Sequence, residues 1–371
     1  MKLGSLFDGI GGALLCAARN EIKPVWASEI EPFPIKVTAF HFPQVEHLGD
    51  ITKINGAEIE PVDIIVGGSP CQDLSVAGKR AGMAGARSGL FMEQIRIVKE
   101  MRNATRANEP VRPRYMVWEN VPGAFSSNGG EDFRAVLEET CRVADSAVSI
   151  PRSAEWSNSG SILGDGFSVS WRVLDAQYWG VPQRRRRIYL VADFGGQSAP
   201  EILFERESAS GHIAESGGER QGTAGNVERC TGNAVCYNGE NLTSPLNAQN
   251  PKPGDPCHTL GTDSRNYVCF EPRSQDGVPR ISSDGLSPTL NTAQGGQRQP
   301  CVVTEISQLK QVRRLTPLEC ERLQGYPDEY TNIPGASDSA RYKALGNSFA
   351  VPCADFVIRR CREKFYEQQQ H

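Results

Sequence analysis

Short apolar runs, each closed by glycine, proline or an acid, recur through the first half of the chain. Leu3-Gly4-Ser5-Leu6-Phe7, Pro24-Val25-Trp26-Ala27-Ser28, Val62-Asp63-Ile64-Ile65-Val66, Tyr115-Met116-Val117-Trp118 and Ile188-Tyr189-Leu190-Val191-Ala192 are strand-length. β-branched and aromatic residues are frequent in them, so they read as buried strands. Residues 13–19 and 90–101 carry helical periodicity. Strands alternating with helices predict β-α units and an α/β fold built on a doubly wound sheet. Residues 146–168 are rich in Ser, Gly and Asn and read as an irregular insertion. From about 195 to 310 the composition shifts to Gly, Pro, Ser, Asn and Thr, with related phrases at 242–249, 256–260 and 286–291. Short strands separated by turns are expected there. Helical order resumes at Leu315-Thr316-Pro317, where Thr316 suits an N-cap and Pro317 a first helical residue. Residues 342–352 open a last helix over 353–366.

The chemistry-bearing residues stand at the strand ends, where open α/β sheets place their ligands. The first strand runs into Asp8-Gly9-Ile10-Gly11-Gly12, a glycine turn that lets backbone approach a ligand closely. Glu29 ends the second strand about twenty residues past that turn, where an acid can bind ribose hydroxyls. Asp50 and Ile51 end a third strand region. Such a set suits an adenosine-type cofactor, and there is no lysine loop of the kind that receives a triphosphate. The strand over 62–66 ends in Gly67-Gly68-Ser69-Pro70-Cys71-Gln72. Free cysteine is often only a small buried hydrophobe, but a Gly-Gly-Ser-Pro turn is a poor place to bury one, and Cys71 reads as a nucleophile. Residues 75–89 are polar and glycine-rich, with Lys79, Arg80 and Arg87, and suit a mobile loop. Glu119 follows the next strand and supplies a carboxylate. In Gln183-Arg184-Arg185-Arg186-Arg187, strand alternation sends Gln183, Arg185 and Arg187 one way and Arg184 and Arg186 the other. One set can meet Glu119 or a phosphate; the other is solvated.

Composition narrows the setting. A chain of 371 residues with 39% hydrophobic content has room for two domains and a sizeable core. The formal net charge of −4 does not announce a nucleic-acid partner, so any such contact must use local basic surface. Eleven cysteines include no Cys-x-x-Cys pair, and no metal site is expected. Without a secretory signal or an apolar run of membrane-spanning length, the expectation is a reduced cytoplasmic protein with no membrane partner.

Phe7-Asp8-Gly9-Ile10-Gly11-Gly12, Gly68-Ser69-Pro70-Cys71-Gln72, Glu119-Asn120-Val121, Gln183 through Arg187 and Gly346-Asn347-Ser348 together resemble the DNA (cytosine-5) methyltransferases of bacteria and phages, in the family's order. The resemblance implies a Rossmann-like S-adenosylmethionine-dependent methyltransferase sheet and a smaller, irregular β-rich target recognition domain. The expected boundaries are 1–193 for the catalytic and cofactor-binding domain, completed by 340–371, and 194–339 for target recognition. It implies a cofactor site of Phe7, Asp8, Gly9, Gly11, Gly12, Glu29, Ile30, Asp50, Ile51, Pro70, Leu90 and Asn347, with Ile30 in apolar contact with adenine. Catalysis would rest on Cys71, Glu119, Arg185 and Arg187, and DNA contact on Ser75, Arg87 and Gln183.

The residues suit this chemistry in their own right. C5 of cytosine is a poor nucleophile until a thiolate adds to C6 and places electron density at C5. Glu119 would contact N3 and the exocyclic amine, with Arg185 and Arg187 orienting it. A duplex hides C6, so the base must be flipped out. The expected partners are duplex DNA and, as in restriction-modification, a cognate endonuclease; a monomer in a bacterial or phage-infected cytoplasm is the expected form. The same chemistry on RNA, or a binding module with a dead site, stays open from sequence, and the target site is not legible.

Overall fold

The computed structural model describes residues 1–70, 89–107, 109–153, 155–204, 269–271, 280–282, 301–306 and 309–368. Cys71, Ser75, Arg87 and the recurrent phrases of 242–291 lie outside the described residues. Contacts divide the chain into two units, one of Met1–Leu174, Arg186–Ala209 and Cys353–His371, the other of Asp175–Arg185 and Ser210–Pro352.

The first unit is an α/β sheet. Its elements begin with β1 (Lys2–Leu6), α1 (Gly12–Arg19), β2 (Lys23–Ser28), α2 (Pro32–His41), β3 (Glu46–His47) and β4 (Ile64–Gly67). They continue with α3 (Leu90–Ala104), β5 (Tyr115–Asn120), α4 (Glu131–Cys141), β6 (Ser159–Leu163), β7 (Ser168–Asp175), β8 (Arg186–Asp193) and α5 (Ala199–Leu203). The strand order is β3-β2-β1-β4-β5-β8-β7-β6. β1 to β5 pair in parallel, while β8 runs antiparallel to β5 and β6 to β7. Strand order reverses between β1 and β4, whose carboxyl ends are in register, Leu6 opposite Gly67. That is the switch point where such sheets hold ligands.

Side-chain size sets the close packing of the sheet. A Cβ on Gly4 would fall 2.1 Å from the buried Trp26 ring, so only glycine lets β1 and β2 lie together there. Phe133 on α4 is the hub of an aromatic cluster with Phe125, Trp156 and Trp171, ring centroids 4.7 to 5.7 Å away. Of the irregular insertion expected at 146–168, the described residues up to 158 are irregular, and the expectation is corrected only beyond them. Trp156 anchors the insertion to the core, and Ser159–Leu163 forms β6, whose alternating exposure marks an edge strand with only one covered face.

The second unit contains an antiparallel sheet of β9 (Cys269–Glu271), β10 (Arg280–Ser282), β11 (Cys301–Ile306) and β12 (Leu309–Arg314) in the order β10-β9-β11-β12. Then come α6 (Pro317–Gln324) and α7 (Asp338–Asn347). Thr316 caps α6 as its sequence predicts: its Oγ1 accepts from Glu319 N at 3.2 Å, and Glu319 Oε2 accepts from Thr316 N at 2.7 Å. The fully buried Glu321 accepts from Thr331 N at 2.8 Å and from Arg341 Nη2 at 3.1 Å, tying α6 to α7. The last helix, α8, is Val351–Glu367. The sequence reading merged its approach with α7, which is a helix of its own capped by the Ser337 side chain.

Candidate active site

The turn after β1 is the first wall of the site. Phe7, Gly9 and Gly11 all take positive φ, at 53°, 57° and 79°. For Phe7 this left-handed conformation is strained, and such strain concentrates at binding sites. Among the described residues no atom lies within 4 Å of where a Cβ on Gly9 would sit, so they leave open space beside the backbone there. Glu29, at the end of β2, holds this turn: its Oε2 accepts from Gly9 N at 2.8 Å, while its Oε1 accepts from Ile30 N and Glu31 N at 2.7 and 2.9 Å.

Asp8 is buried beneath the same turn, 6% exposed. Its Oδ2 accepts from Thr38 Oγ1 at 3.1 Å, and its Oδ1 has no hydrogen-bond partner among the described residues. Burial pushes the carboxyl up to about 7, against the opposing pull of the Ser5 and Thr38 hydroxyls and with a further push from Glu29. Asp50 caps a helical turn through Thr52 N at 3.0 Å, and that backbone bond, with the Thr52 hydroxyl, lowers its pKa. Ile30 is 69% exposed, an apolar side chain left for a ligand or for solvent, whereas Ile51 is buried in the core. Gly12 is buried in the first turn of α1. Pro70 is exposed, and Leu90 begins α3. The open glycine turn, the carboxylate pinning it and the half-satisfied Asp8 fit a small polar cofactor with an apolar ring.

β4 and β5 form the second wall. A Cβ on Gly68 would lie 3.2 Å from Glu119 Oε2, so the turn leading towards Cys71 and the Glu119 carboxylate are immediate neighbours. Arg187 Nε lies 3.1 Å from Glu119 Oε1, each side chain only 15% exposed. Three residues missed in the sequence brace this wall. Asn120 Nδ2 donates to Ser69 O at 2.9 Å, Trp118 Nε1 donates to Ser69 Oγ at 3.1 Å, and all three residues are buried. A buried Asn beside Glu119 was the available signal, since a buried amide must find partners. Tyr189, opposite Glu119 in the β5–β8 ladder, is also buried, with its phenol pKa raised by desolvation.

In the second unit the arginine run shows the alternation expected of it. Gln183 and Arg185 are buried, at 0% and 3% exposed, while Arg184 is exposed; in the first unit, Arg186 is exposed and Arg187 half-buried. Arg185 Nη2 donates to Gly346 O at 3.2 Å and to Ser348 O, the carbonyls on either side of the exposed Asn347. Its backbone N donates to Asp175 Oδ1 at 3.0 Å. Among the described residues no group of histidine, cysteine and acidic side chains is placed to hold a metal.

The chain resembles known methyltransferases throughout its length. A "DNA N-6-adenine-methyltransferase" of Escherichia phage P1 is 29% identical over 97% of this chain, which spans 62% of that relative's length. The type II methyltransferase M1.ScrFI of Lactococcus lactis subsp. cremoris is 29% identical over 98% of this chain and 78% of its own. Among solved structures, Dnmt2 methyltransferase of S. pombe superposes with a TM-score of 0.59 at 16% identity, covering 98% of this chain and 99% of that one. At that identity the likeness shows the fold alone. A model of C-5 cytosine-specific DNA methylases matches residues 1–142 and 161–363. With that match spanning both units and all five motifs, the chain belongs to the C-5 cytosine-specific DNA methylase family.

Proposed function

We propose that the protein methylates C5 of a flipped-out cytosine at specific sites in duplex DNA, through a covalent bond between Cys71 and C6. The carrying observation is the approach of the Gly68 turn to Glu119, three residues ahead of Cys71, with Arg187 on that carboxylate. Glu119 contacts N3 and the exocyclic amine, stabilising the ring as the Cys71 thiolate adds to C6. Addition makes C5 nucleophilic; after methylation, loss of the C5 proton expels the thiol and restores the ring. Arg187 holds Glu119 in place, and Arg185 braces the backbone around Asn347.

S-adenosylmethionine, the methyl donor of this family, supplies an electrophilic sulfonium methyl when bound. Phe7, Asp8, Gly9, Gly11, Gly12 and Glu29 form the cradle proposed for it, with Ile30, Asp50, Ile51, Pro70, Leu90 and Asn347 as further contacts. Ser75 and Arg87 are assigned to DNA and residues 194–339 to target choice; the DNA contact expected of Gln183 is withdrawn, because its side chain is fully buried. An exocyclic amine can be methylated by direct attack and needs no protein nucleophile. The Cys71 and Glu119 pairing therefore supports a ring carbon as the target rather than the adenine amine named for the phage P1 relative. A cognate endonuclease, a monomeric state and a cytoplasmic setting belong to the same reading; no described helix is long and apolar enough to cross a membrane.

Duplex DNA carrying 5-fluorocytosine tests the proposal, because fluorine cannot leave as a proton does. A covalent adduct should form with the wild-type protein and labelled cofactor, and Cys71→Ser should abolish it. An adduct that persists in that variant removes Cys71 from the role, and trapping only on fluorinated RNA replaces the substrate.

A further inference from the structure

The catalytic reading requires Cys71 and Glu119 to meet one ring from two different strands, and their relative placement depends on the turn between β4 and the nucleophile. That turn contains Gly68, which has no side chain, and Ser69 and Pro70. Ser69 is 5% exposed and is held twice from the neighbouring strand. Asn120 Nδ2 donates to its carbonyl at 2.9 Å, and Trp118 Nε1 donates to its hydroxyl at 3.1 Å. The Asn120 amide is oriented by its other end, since Oδ1 accepts from Val121 N at 2.8 Å. Trp118 is fully buried, its ring packed edge-on against Phe91 at 5.5 Å and stacked with Phe133 at 6.4 Å, so its N–H points in one fixed direction. Both clamps come from β5, on either side of Glu119.

We propose that Trp118 and Asn120 are positioning residues for the nucleophile, locking Ser69 so that the turn into Cys71 and the Glu119 carboxylate form one rigid body. The inference rests on Cys71 being the nucleophile. Parallel β4 and β5 share ladder hydrogen bonds only as far as Gly67 and Trp118. Beyond that pair the two side-chain bonds to Ser69 continue the tie between the chains. Covalent addition is sensitive to such placement, because an error of about 1 Å in a reacting group can cost about a hundredfold in rate.

The test uses the full-length protein and reads the rate of adduct formation on 5-fluorocytosine duplex. It also reads S-adenosylmethionine affinity by calorimetry and thermal stability for each variant. Ser69→Ala removes the hydroxyl, and Trp118→Phe removes the indole N–H while keeping an aromatic ring in the core. Each should slow adduct formation by about tenfold at unchanged cofactor affinity, within the range expected of misplaced groups. The double variant should be no slower than either single one, since both break the same bond. Ser69→Thr keeps the hydroxyl and should restore most of the rate. Asn120→Asp keeps the shape but sets an acceptor against the Ser69 carbonyl, and should be the slowest. Multiplying effects in the double variant, or a wild-type rate in both single variants, overturns the positioning role. Continued trapping by Cys71→Ser instead overturns the catalytic reading beneath it, so the two failures are distinct.

Discussion

Arg187 and Glu119 are diagonal neighbours across the antiparallel β5–β8 ladder, with guanidinium Nε 3.1 Å from carboxylate Oε1. Glu119 lies directly opposite Tyr189, and Arg187 is two residues back along the same face. Both side chains are largely shielded from water, so the pair is stronger than a surface ion pair and fixes the carboxylate's direction.

Glu119→Gln keeps size and the Arg187 contact in part but removes the charge that stabilises a protonated ring. Turnover should fall by at least about a hundredfold, the range of acid-base groups. S-adenosylmethionine affinity, measured by calorimetry, should hold. Near-wild-type turnover in a filter-binding methylation assay excludes the assigned role.

Asp8 makes a pH-dependent contribution with a defined sign. Its folded-state pKa is raised to about 7 chiefly by burial, against an unfolded value of about 3.9. The folded state therefore holds the proton more tightly, and the contribution is fully present below about pH 4 and is lost as pH rises through 7. Asp8→Asn keeps an acceptor for Thr38 and cannot ionise. Relative to wild type it should gain stability across that window, by about 4 kcal/mol at most above pH 7 on a linkage basis. Urea unfolding at pH 5, 6, 7 and 8 measures this; parallel stability curves for the two proteins contradict it.

Arg341→Ala should destabilise the second unit severely. It leaves the fully buried Glu321 without the guanidinium that now faces it at 3.1 Å. Breaking one partner of a buried pair costs about 3 to 5 kcal/mol. Arg341→Ala combined with Glu321→Gln should recover part of the loss in denaturant melts, because no uncompensated charge remains.

Sequence choice is expected between residues 230 and 300, which lie outside every motif assigned to chemistry. Arg265, Arg273, Arg280 and Arg298 stand there, and arginine pairs bidentately with guanine. Replacing this segment with that of a relative should change the sites methylated, read by bisulfite sequencing, with cofactor binding nearly untouched. A folded chimera that kept the original pattern would place recognition elsewhere, foremost in residues 75–87.

The strand-turn-acid units were legible along the chain because each is local. A β-branched run, a glycine turn and an acid at the strand end declare themselves within about ten residues, and Thr316-Pro317 announces its helix in two. The alternation of Gln183, Arg185 and Arg187 against Arg184 and Arg186 was likewise written in the two-residue period of extended chain. The Ser, Gly and Asn content of 146–168 correctly signalled irregular chain up to 158 but hid the strand at Ser159–Leu163. Trp156 and the edge position of β6 depend on a core and a partner strand that sequence does not display.

Only tertiary structure decided which distant groups meet. The antiparallel insertion of β8 beside β5 brings Arg187 to Glu119 across 68 residues of chain. Parallel pairing of β4 with β5 sets Ser69 under Trp118 and Asn120. Glu29 could be read as a strand-end acid, but its bond to Gly9 N depends on β1 and β2 lying side by side. Residue type determines what a group can do; its protonation, partners and direction come from what the fold places around it. Asp8, an ordinary acid in the sequence, is buried by the fold in a site that raises its pKa to about 7.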